Sequence, residues 1–311
     1  MTDNYLRFWG VRGSYPAPHP THMGYGGNTP CVELCVDNHV IALDAGTGII
    51  ALGNQLMQQN TIREVHIVLT HYHWDHIAGL PFFVPAFAPG WTIHIYGPAE
   101  DEEKLAYAIS QQMKAPYFPV EVETWLADIH YHAPGAAPFQ VGPAQIQSFS
   151  VHHPGTTMGY RVDVHGKRIV YAPDNELSFI RQSIDERKEE FDEEEKELLE
   201  AMKEEERCKS IAFMHDVDIL IHDAQYTEAD YQQKRGWGHS CYVDTVQSAL
   251  DAGARSLYLF SHDPNYDDDA LGIVEEAAQA IASERNSNMH CSCARERSMI
   301  DLNGSTLIAE R

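Results

Sequence analysis

Basic residues are scarce in this sequence: 22 Lys and Arg stand against 46 Asp and Glu, a net charge of −24. A protein that neutralises many phosphates needs clustered cations, so a long nucleic acid is a poor partner for most of this surface. A small anion is a different matter, because bound metal ions can supply a local positive site. Cysteine is sparse too. Cys31, Cys35, Cys208, Cys241, Cys291 and Cys293, six in 311 residues, do not make a disulfide framework. Cys291-x-Cys293 has no matching second pair and reads as two strand thiols on one face. No run approaches the ~20 apolar residues of a membrane span. The opening Met1-Thr2-Asp3-Asn4 shows neither the basic nor the apolar region of a secretory signal. The expectation is a cytoplasmic protein with no membrane partner.

What is present suits a folded enzyme-sized chain, with 43% hydrophobic and 10% aromatic residues. Short strands broken by Gly and Pro are expected at Tyr5–Trp9, Cys31–Val36 and Val40–Asp44, with a loop from Gly10 to Pro30 between the first two. A helix over Thr47–Met57 and a buried strand over Val65–Leu69 come next. Further strand–helix stretches cover Gln145–Asp174 and Asp218–Ile281, and Met289–Ile308 reads as closing strands. This alternation indicates a layered α/β fold. From Asp185 to Arg207 there are 13 acids and 5 bases, with Ile184, Phe191, Leu198, Leu199 and Met202 forming a narrow apolar edge. That pattern predicts an acidic amphipathic helix, an insertion at about 180–210 in a single domain spanning 1–311. It is a solvated helix on its own domain, a lid over the site, or the contact of a homodimer.

The chemistry begins where the strand Val65–Leu69 ends. His71-Tyr72-His73-Trp74-Asp75-His76 puts four metal ligands in six positions, on a loop leaving a strand's C-terminal end. His71 and His73 can converge on one ion while the chain stays extended, and Asp75 and His76 can reach a second as it turns. Nitrogen and carboxylate donors without thiolate suit Zn²⁺, Mn²⁺ or Fe²⁺. Histidine is abundant here, 18 in all, and His39, His66, His94 and His165 read as ordinary surface or strand residues.

His71-x-His73-x-Asp75-His76 resembles the hallmark motif of the metallo-β-lactamase superfamily. His153, six residues before Gly159-Tyr160-Arg161, is similar to the third ligand segment of its tRNase Z-like branch, with His152 the competing candidate. Pro173-Asp174 resembles the segment whose Asp bridges both metals, and Ser261-His262-Asp263-Pro264 the one carrying the last His. The resemblance implies an αββα sandwich of two mixed β-sheets flanked by helices. It implies His71, His73, His153 and Asp174 around one divalent ion, and Asp75, His76, Asp174 and His262 around the other. Asp44 resembles the upstream Asp that holds the ligands in place; as a plain helix N-cap it would contribute roughly 0.5–2 kcal/mol.

Two ions ~3.5–4 Å apart can share a hydroxide and hold phosphoryl oxygens, but such a site can equally attack a lactone or thioester. Two further segments favour phosphodiesters. Leu220-Ile221-His222-Asp223-Ala224 and Gly238-His239-Ser240 resemble the tRNase Z-like acid–His pair, with Asp223 in place of Glu. A His held by a carboxylate is suited to protonating a leaving oxygen. Asp75, Asp223 and His239 are therefore the catalytic candidates. Phe8-Trp9-Gly10-Val11-Arg12-Gly13-Ser14 and Tyr25-Gly26-Gly27-Asn28-Thr29-Pro30 look like relatives grouped with cyclic-nucleotide phosphodiesterases, with glycines that allow a ligand close approach or simply make a surface loop. Pro116-Tyr117-Phe118-Pro119 walls the pocket or packs. The favoured substrate is a small anionic phosphodiester, a 3′,5′-cyclic nucleotide. Another ester, or metal-bound ligand sensing with little turnover, is the alternative.

Overall fold

The computed structural model describes residues 4–59, 61–179, 191–285, 288–303 and 306–309. Six strands come first: β1 (Tyr5–Gly10), β2 (Cys31–Val36), β3 (His39–Leu43), β4 (Glu64–Val68), β5 (Thr92–Tyr96) and β6 (Asp128–His132). Then come β7 (Phe139–Val141), β8 (Ala144–Ser150), β9 (Met158–Val164) and β10 (Lys167–Ala172). The last are β11 (Ile219–Asp223), β12 (Ser256–Phe260), β13 (His290–Cys293), β14 (Ser298–Asp301) and β15 (Thr306–Ala309). The helices are α1 (Gly48–Gln58), α2 (Trp74–Ile77), α3 (Glu102–Gln111), α4 (Glu193–Ala212), α5 (Glu228–Gln233), α6 (Tyr242–Asp251) and α7 (Asp268–Glu284).

Two mixed sheets result, in the orders β15-β14-β1-β2-β3-β4-β5-β6 and β13-β12-β11-β10-β9-β8-β7. Tight turns set the antiparallel registers. Asp37 and Asn38 join β2 to β3 with φ of 49° and 66°, the pair of positive values that a two-residue hairpin needs to match strand twist. The strands from β3 to β6, and those from β10 to β13, run parallel. Period-2 alternation sends Leu6, Phe8, Leu34, Ile41 and Val68 from one sheet against Ile146, Val162, Ile169, Tyr171 and Phe260 from the other. Each such side chain contributes roughly 1.5–3 kcal/mol by leaving water. The outer face of the first sheet packs Val40, Val65 and Ile67 on Ile49, Leu52 and Leu56 of α1. The second packs Leu220, Leu257 and Leu259 on α6 and α7 through Val246, Ala249, Leu271 and Val274. This is the expected αββα sandwich.

The parallel strands position the chemistry. The C-terminal ends of β3, β4, β10, β11 and β12 gather along one edge of the sandwich, as open α/β sheets do where they bind ligands. The acidic helix differs from its expected span. Among the described residues it is α4, starting on a capping box between Asp192 and Glu195 and running past Arg207 to Ala212; residues 180–190, with Ile184, lie outside the described residues. Its end is fixed by Phe213 stacked on Phe149 at 3.7 Å and by Arg207 on Asp251 at 2.8 Å. Leu198 and Met202 are exposed, so this stretch of the apolar edge is not laid on the chain's own core. No helix among the described residues is long and apolar enough to cross a membrane.

Candidate metal centre and its acid–histidine pair

Leu69 continues the β4 backbone by bonding Tyr96, after which the chain leaves the sheet. Thr70 is the pivot. Its backbone N–H and hydroxyl both donate to Asp44, at 2.8 and 3.0 Å, and the hydroxyl oxygen accepts from His71 Nδ1 at 3.0 Å. His71 is thereby left with a buried Nε2 that has no hydrogen-bond partner. Asp44 treats His76 the same way: Nδ1 donates to it at 2.8 Å, and buried Nε2 makes no hydrogen bond, facing the carboxylates of Asp174 and Asp75. Tyr171 adds a hydroxyl donor at 2.9 Å. Asp44 is therefore the hub that aims two imidazoles, not a helix cap; α1 starts from Thr47.

Four side chains then converge. One ligating atom each from His71, His73, His153 and Asp174 lie within 4.8 Å of one another, and Asp75, His76 and Asp174 form a second such group. Asp174 Oδ2 is 3.6, 3.2 and 3.5 Å from His71, His76 and His153 Nε2. His153 Nδ1 donates to the Gly238 carbonyl at 2.8 Å, turning Nε2 inward. Gly238 makes this possible: at φ +88°, a Cβ there would stand 2.4 Å from His153 Nδ1. His152 is not in the cluster; its backbone N–H bonds Asn175.

Two buried imidazole nitrogens without a hydrogen bond, in a polar group open to solvent only on the His73 side, are what a cation site presents. The charges agree. Burial opposes charge on His76, yet Asp174, Asp75 and Asp44 outweigh it and raise its pKa well above the usual histidine value. Burial holds His71 well below that value, hence in the neutral form that ligates. The donor set fits divalent transition ions at both positions, with four protein ligands at one and three at the other.

Beside Asp174 lies the expected pair. His239 Nδ1 donates to Asp223 Oδ2 at 2.6 Å, and Asp174, Asp223 and His239 offer atoms within 4.8 Å of one another. Asp223 is pinned by the backbone N–H groups of Asn175, Gln225 and Ser240 at 3.0–3.2 Å, so one methylene less than Glu does not break the geometry. Burial opposes charge on His239, but Asp223 and Asp174 raise it to about 9. Glu176 holds the loop before His239, accepting from Tyr231 hydroxyl, Gly236 and Gly238 at 2.8–2.9 Å. Glu176 did not stand out in the sequence; an acid directly behind Asp174-Asn175 was the available signal.

Known proteins share this arrangement of sequence and fold. Residues 39–193 match the family described as Beta-lactamase superfamily domain. The chain is similar to Ribonuclease Z of Pyrococcus furiosus, 23% identical over 83% of this chain and 86% of that protein. It is 27% identical to Ribonuclease Z of Pyrococcus abyssi, over 49% of this chain and only 46% of that one. A crystal structure of a new diphosphatase from the PhnP family superposes with a TM-score of 0.62, at 17% identity, covering 99% of this chain and all of the other. The chain belongs to the metallo-β-lactamase superfamily.

Two expectations taken from the superfamily need correction. His262 does not join the second position: its Nε2 donates to the Ala294 carbonyl at 2.9 Å. Successive residues point to opposite sides, and at the end of β12 it is Ser261, at φ +58°, whose Oγ lies 3.3 Å from Asp174 Oδ1. The loop from Gly10 to Pro30 is likewise turned on the chain itself. Arg12 is 0% exposed, and its guanidinium donates to the carbonyls of Gly26, Asp263 and Tyr266. Gly13 gives close approach to Ser261 Oγ, 2.5 Å from where a Cβ would sit, rather than to a ligand. The loop does reach the metallo-β-lactamase centre at one point, where Ser14 N–H donates to Asp75 at 2.8 Å.

Proposed function

We propose that this protein hydrolyses small phosphodiesters, with a 3′,5′-cyclic nucleotide the favoured substrate. The observation that carries the reading is the Asp223–His239 pair placed against Asp174. His71, His73, His153 and Asp174 would hold one divalent ion, and Asp75, His76 and Asp174 the other. When bound, such ions supply Lewis acidity toward phosphoryl oxygens and lower the pKa of water.

The chain's own residues do the rest. His239, kept protonated at neutral pH by Asp223 and Asp174, stands where a departing ribose oxygen needs a proton; giving it leaves the alcohol and a monoester product. Asp223 fixes the ring's tautomer and orientation through Nδ1. Exposed His73 and Trp74, the latter 80% exposed, mark the open side of the site. Trp74 with Tyr72 and Tyr117 lines a cavity of about 290 Å³, which supports a small planar group beside the phosphate. Tyr117 thus walls that cavity, while Phe118 packs on Phe82.

The names of the relatives favour a ribonucleic acid substrate as the second reading, whereas the net charge of −24 favours the small one. A panel of cyclic nucleotides, linear phosphodiesters, precursor tRNA, lactones and thioesters, each with Zn²⁺ and Mn²⁺, separates them. Cyclic nucleotides are expected to give the highest kcat/KM. Faster turnover of precursor tRNA, a lactone or a thioester overturns the proposal.

A further inference from the structure

A second group of histidines lies on the same sheet, away from the metal centre. The parallel registers of β4, β5 and β6 place Glu64, Thr92 and Asp128 in one row, His66, His94 and His130 in the next, and Val68, Tyr96 and His132 in the third. Period 2 puts all nine on one face. Val68 and Tyr96 belong to the core between the sheets, so this is the inner face, at the edge where the sandwich opens. His66 stacks on His94 at 4.6 Å, and His94 on His130 at 4.9 Å.

Glu64 Oε1 sits 3.2 Å from His66 Nε2 and 3.4 Å from His94 Nε2, and the three atoms are mutually within 4.8 Å. Ligands about 2.0–2.1 Å from a tetrahedral zinc ion lie roughly 3.3–3.4 Å apart, so these separations already match the edges of such a shell. The opposite ring nitrogens have partners of the kind that orient metal-bound imidazoles. His94 Nδ1 is 2.9 Å from His132 Nε2, and His66 Nδ1 is 3.4 Å from the Tyr96 hydroxyl. Burial lowers the pKa of His66 to about 4 and also lowers that of His94, which keeps both rings neutral and able to ligate at pH 7. Glu64 is 56% exposed, and a cavity of about 440 Å³ lined by His39, Arg63, Glu64 and His66 opens onto the group.

We propose that Glu64, His66 and His94 form a separate site for a divalent transition ion of the zinc class, with one position left to water. The ion ties β4 to β5 at the edge of the sheet, and His132 positions His94. The competing account is that Glu64 merely accepts two imidazole N–H bonds. The two accounts differ in ion count.

The test strips the protein with chelator, re-equilibrates it with micromolar free Zn²⁺, and counts zinc per chain by elemental analysis. Glu64→Gln and His94→Gln should each carry one ion fewer than wild type, with nitrophenyl phosphodiester hydrolysis unchanged. His132→Phe should weaken that ion about 10–100-fold. Glu64 is largely exposed, so its replacement leaves the fold in place. As a second measurement, Asp174→Ala, disabled at the main centre, should still bind a zinc ion that Glu64→Gln then removes. An ion count equal to wild type in both Glu64→Gln and His94→Gln, or no zinc lost on adding Glu64→Gln to Asp174→Ala, overturns the proposal. The readout is ion number, so it stands or falls apart from the substrate assignment.

Discussion

His66 and His71 lie on one segment, the first in the middle of β4 and the second just past its end. His66 is held by the sheet: its neighbours are the residues that register brings across from β5, and its ring stacks on His94. His71 is free of the pleat, so Thr70 and Asp44 can aim it at Asp174. Each group has a shared carboxylate, yet Asp174 is 2% exposed and Glu64 is 56% exposed. Similar donors therefore acquire different roles from their surroundings. In a dry site the shared acid and orphaned imidazoles demand cations and can work on a phosphate. In a wet site the same residues can at most clip two strands.

The largest expected effect sharpens that contrast. Asp174→Ala removes the carboxylate common to both positions of the centre. Activity on every substrate should fall below detection, with loss of metal measured by elemental analysis, while Glu64→Gln retains full activity. An active Asp174→Ala enzyme in the presence of chelator would erase the distinction between the two regions.

Next comes His239→Ala, which should spare metal content and lower cyclic-nucleotide hydrolysis by about 10²–10⁴. A nitrophenyl diester needs no proton on its leaving group and should fall far less. Asp223→Asn should show the same bias more weakly, since Asn no longer favours the charged ring. Equal losses on both substrates in a kcat comparison would assign His239 to phosphate binding instead.

The two clusters also differ in how far they could be read from the chain. His71, His73, Asp75 and His76 are local in sequence, so their spacing alone placed them together, whereas Asp174, Asp223 and His239 joined them only through the resemblance of their segments to those of the superfamily. His66, His94, His130 and His132 are spread over three strands. Only the pairing register joins them, which is why His66 and His94 read as ordinary surface or strand residues. His262 departs from its expected place for a finer reason: one residue of pleat decides which side chain faces Asp174, and at the end of β12, where Ser261 has a positive φ, that is Ser261. The layered fold was legible from periodicity, whereas the length of α4 was not, because its charge pattern fades before the helix ends at Ala212.

A smaller effect concerns acid. Folding lowers the pKa of His66 from about 6.5 to about 4, through burial first and His94 second. The folded state thus binds that proton less readily than the unfolded one. Its contribution to stability is complete above about pH 6.5 and is lost as pH falls toward about 4. Thermal melts in chelator should show the Tm dropping over this window, and His66→Gln should make the drop shallower by roughly a few degrees. An identical pH profile in the two proteins would mean that the stacked ring is not strained by protonation.

The smallest effect tests the correction at the end of β12. If His262 were a ligand of the second ion, His262→Gln would cost that ion and most of the activity. In the structure its Nε2–H serves the Ala294 carbonyl, and a glutamine amide can donate there instead. His262→Gln should accordingly keep the wild-type ion count and near wild-type kcat. Ser261→Ala is the companion. Ser261 Oγ lies 3.3 Å from both Asp174 Oδ1 and Gln225 Oε1, so its hydroxyl donates to one of them and steadies the carboxylate from the side facing Gly13. Losing one such bond costs about 0.5–1.5 kcal/mol, or roughly 2–10-fold in affinity for the ion at Asp75, His76 and Asp174. Competitive metal titration resolves a change of that size. The ion held by His71, His73 and His153 should move less, because three imidazoles share its hold on Asp174. A missing ion in His262→Gln, with Ser261→Ala unchanged, would return His262 to the centre and make Ser261 the bystander.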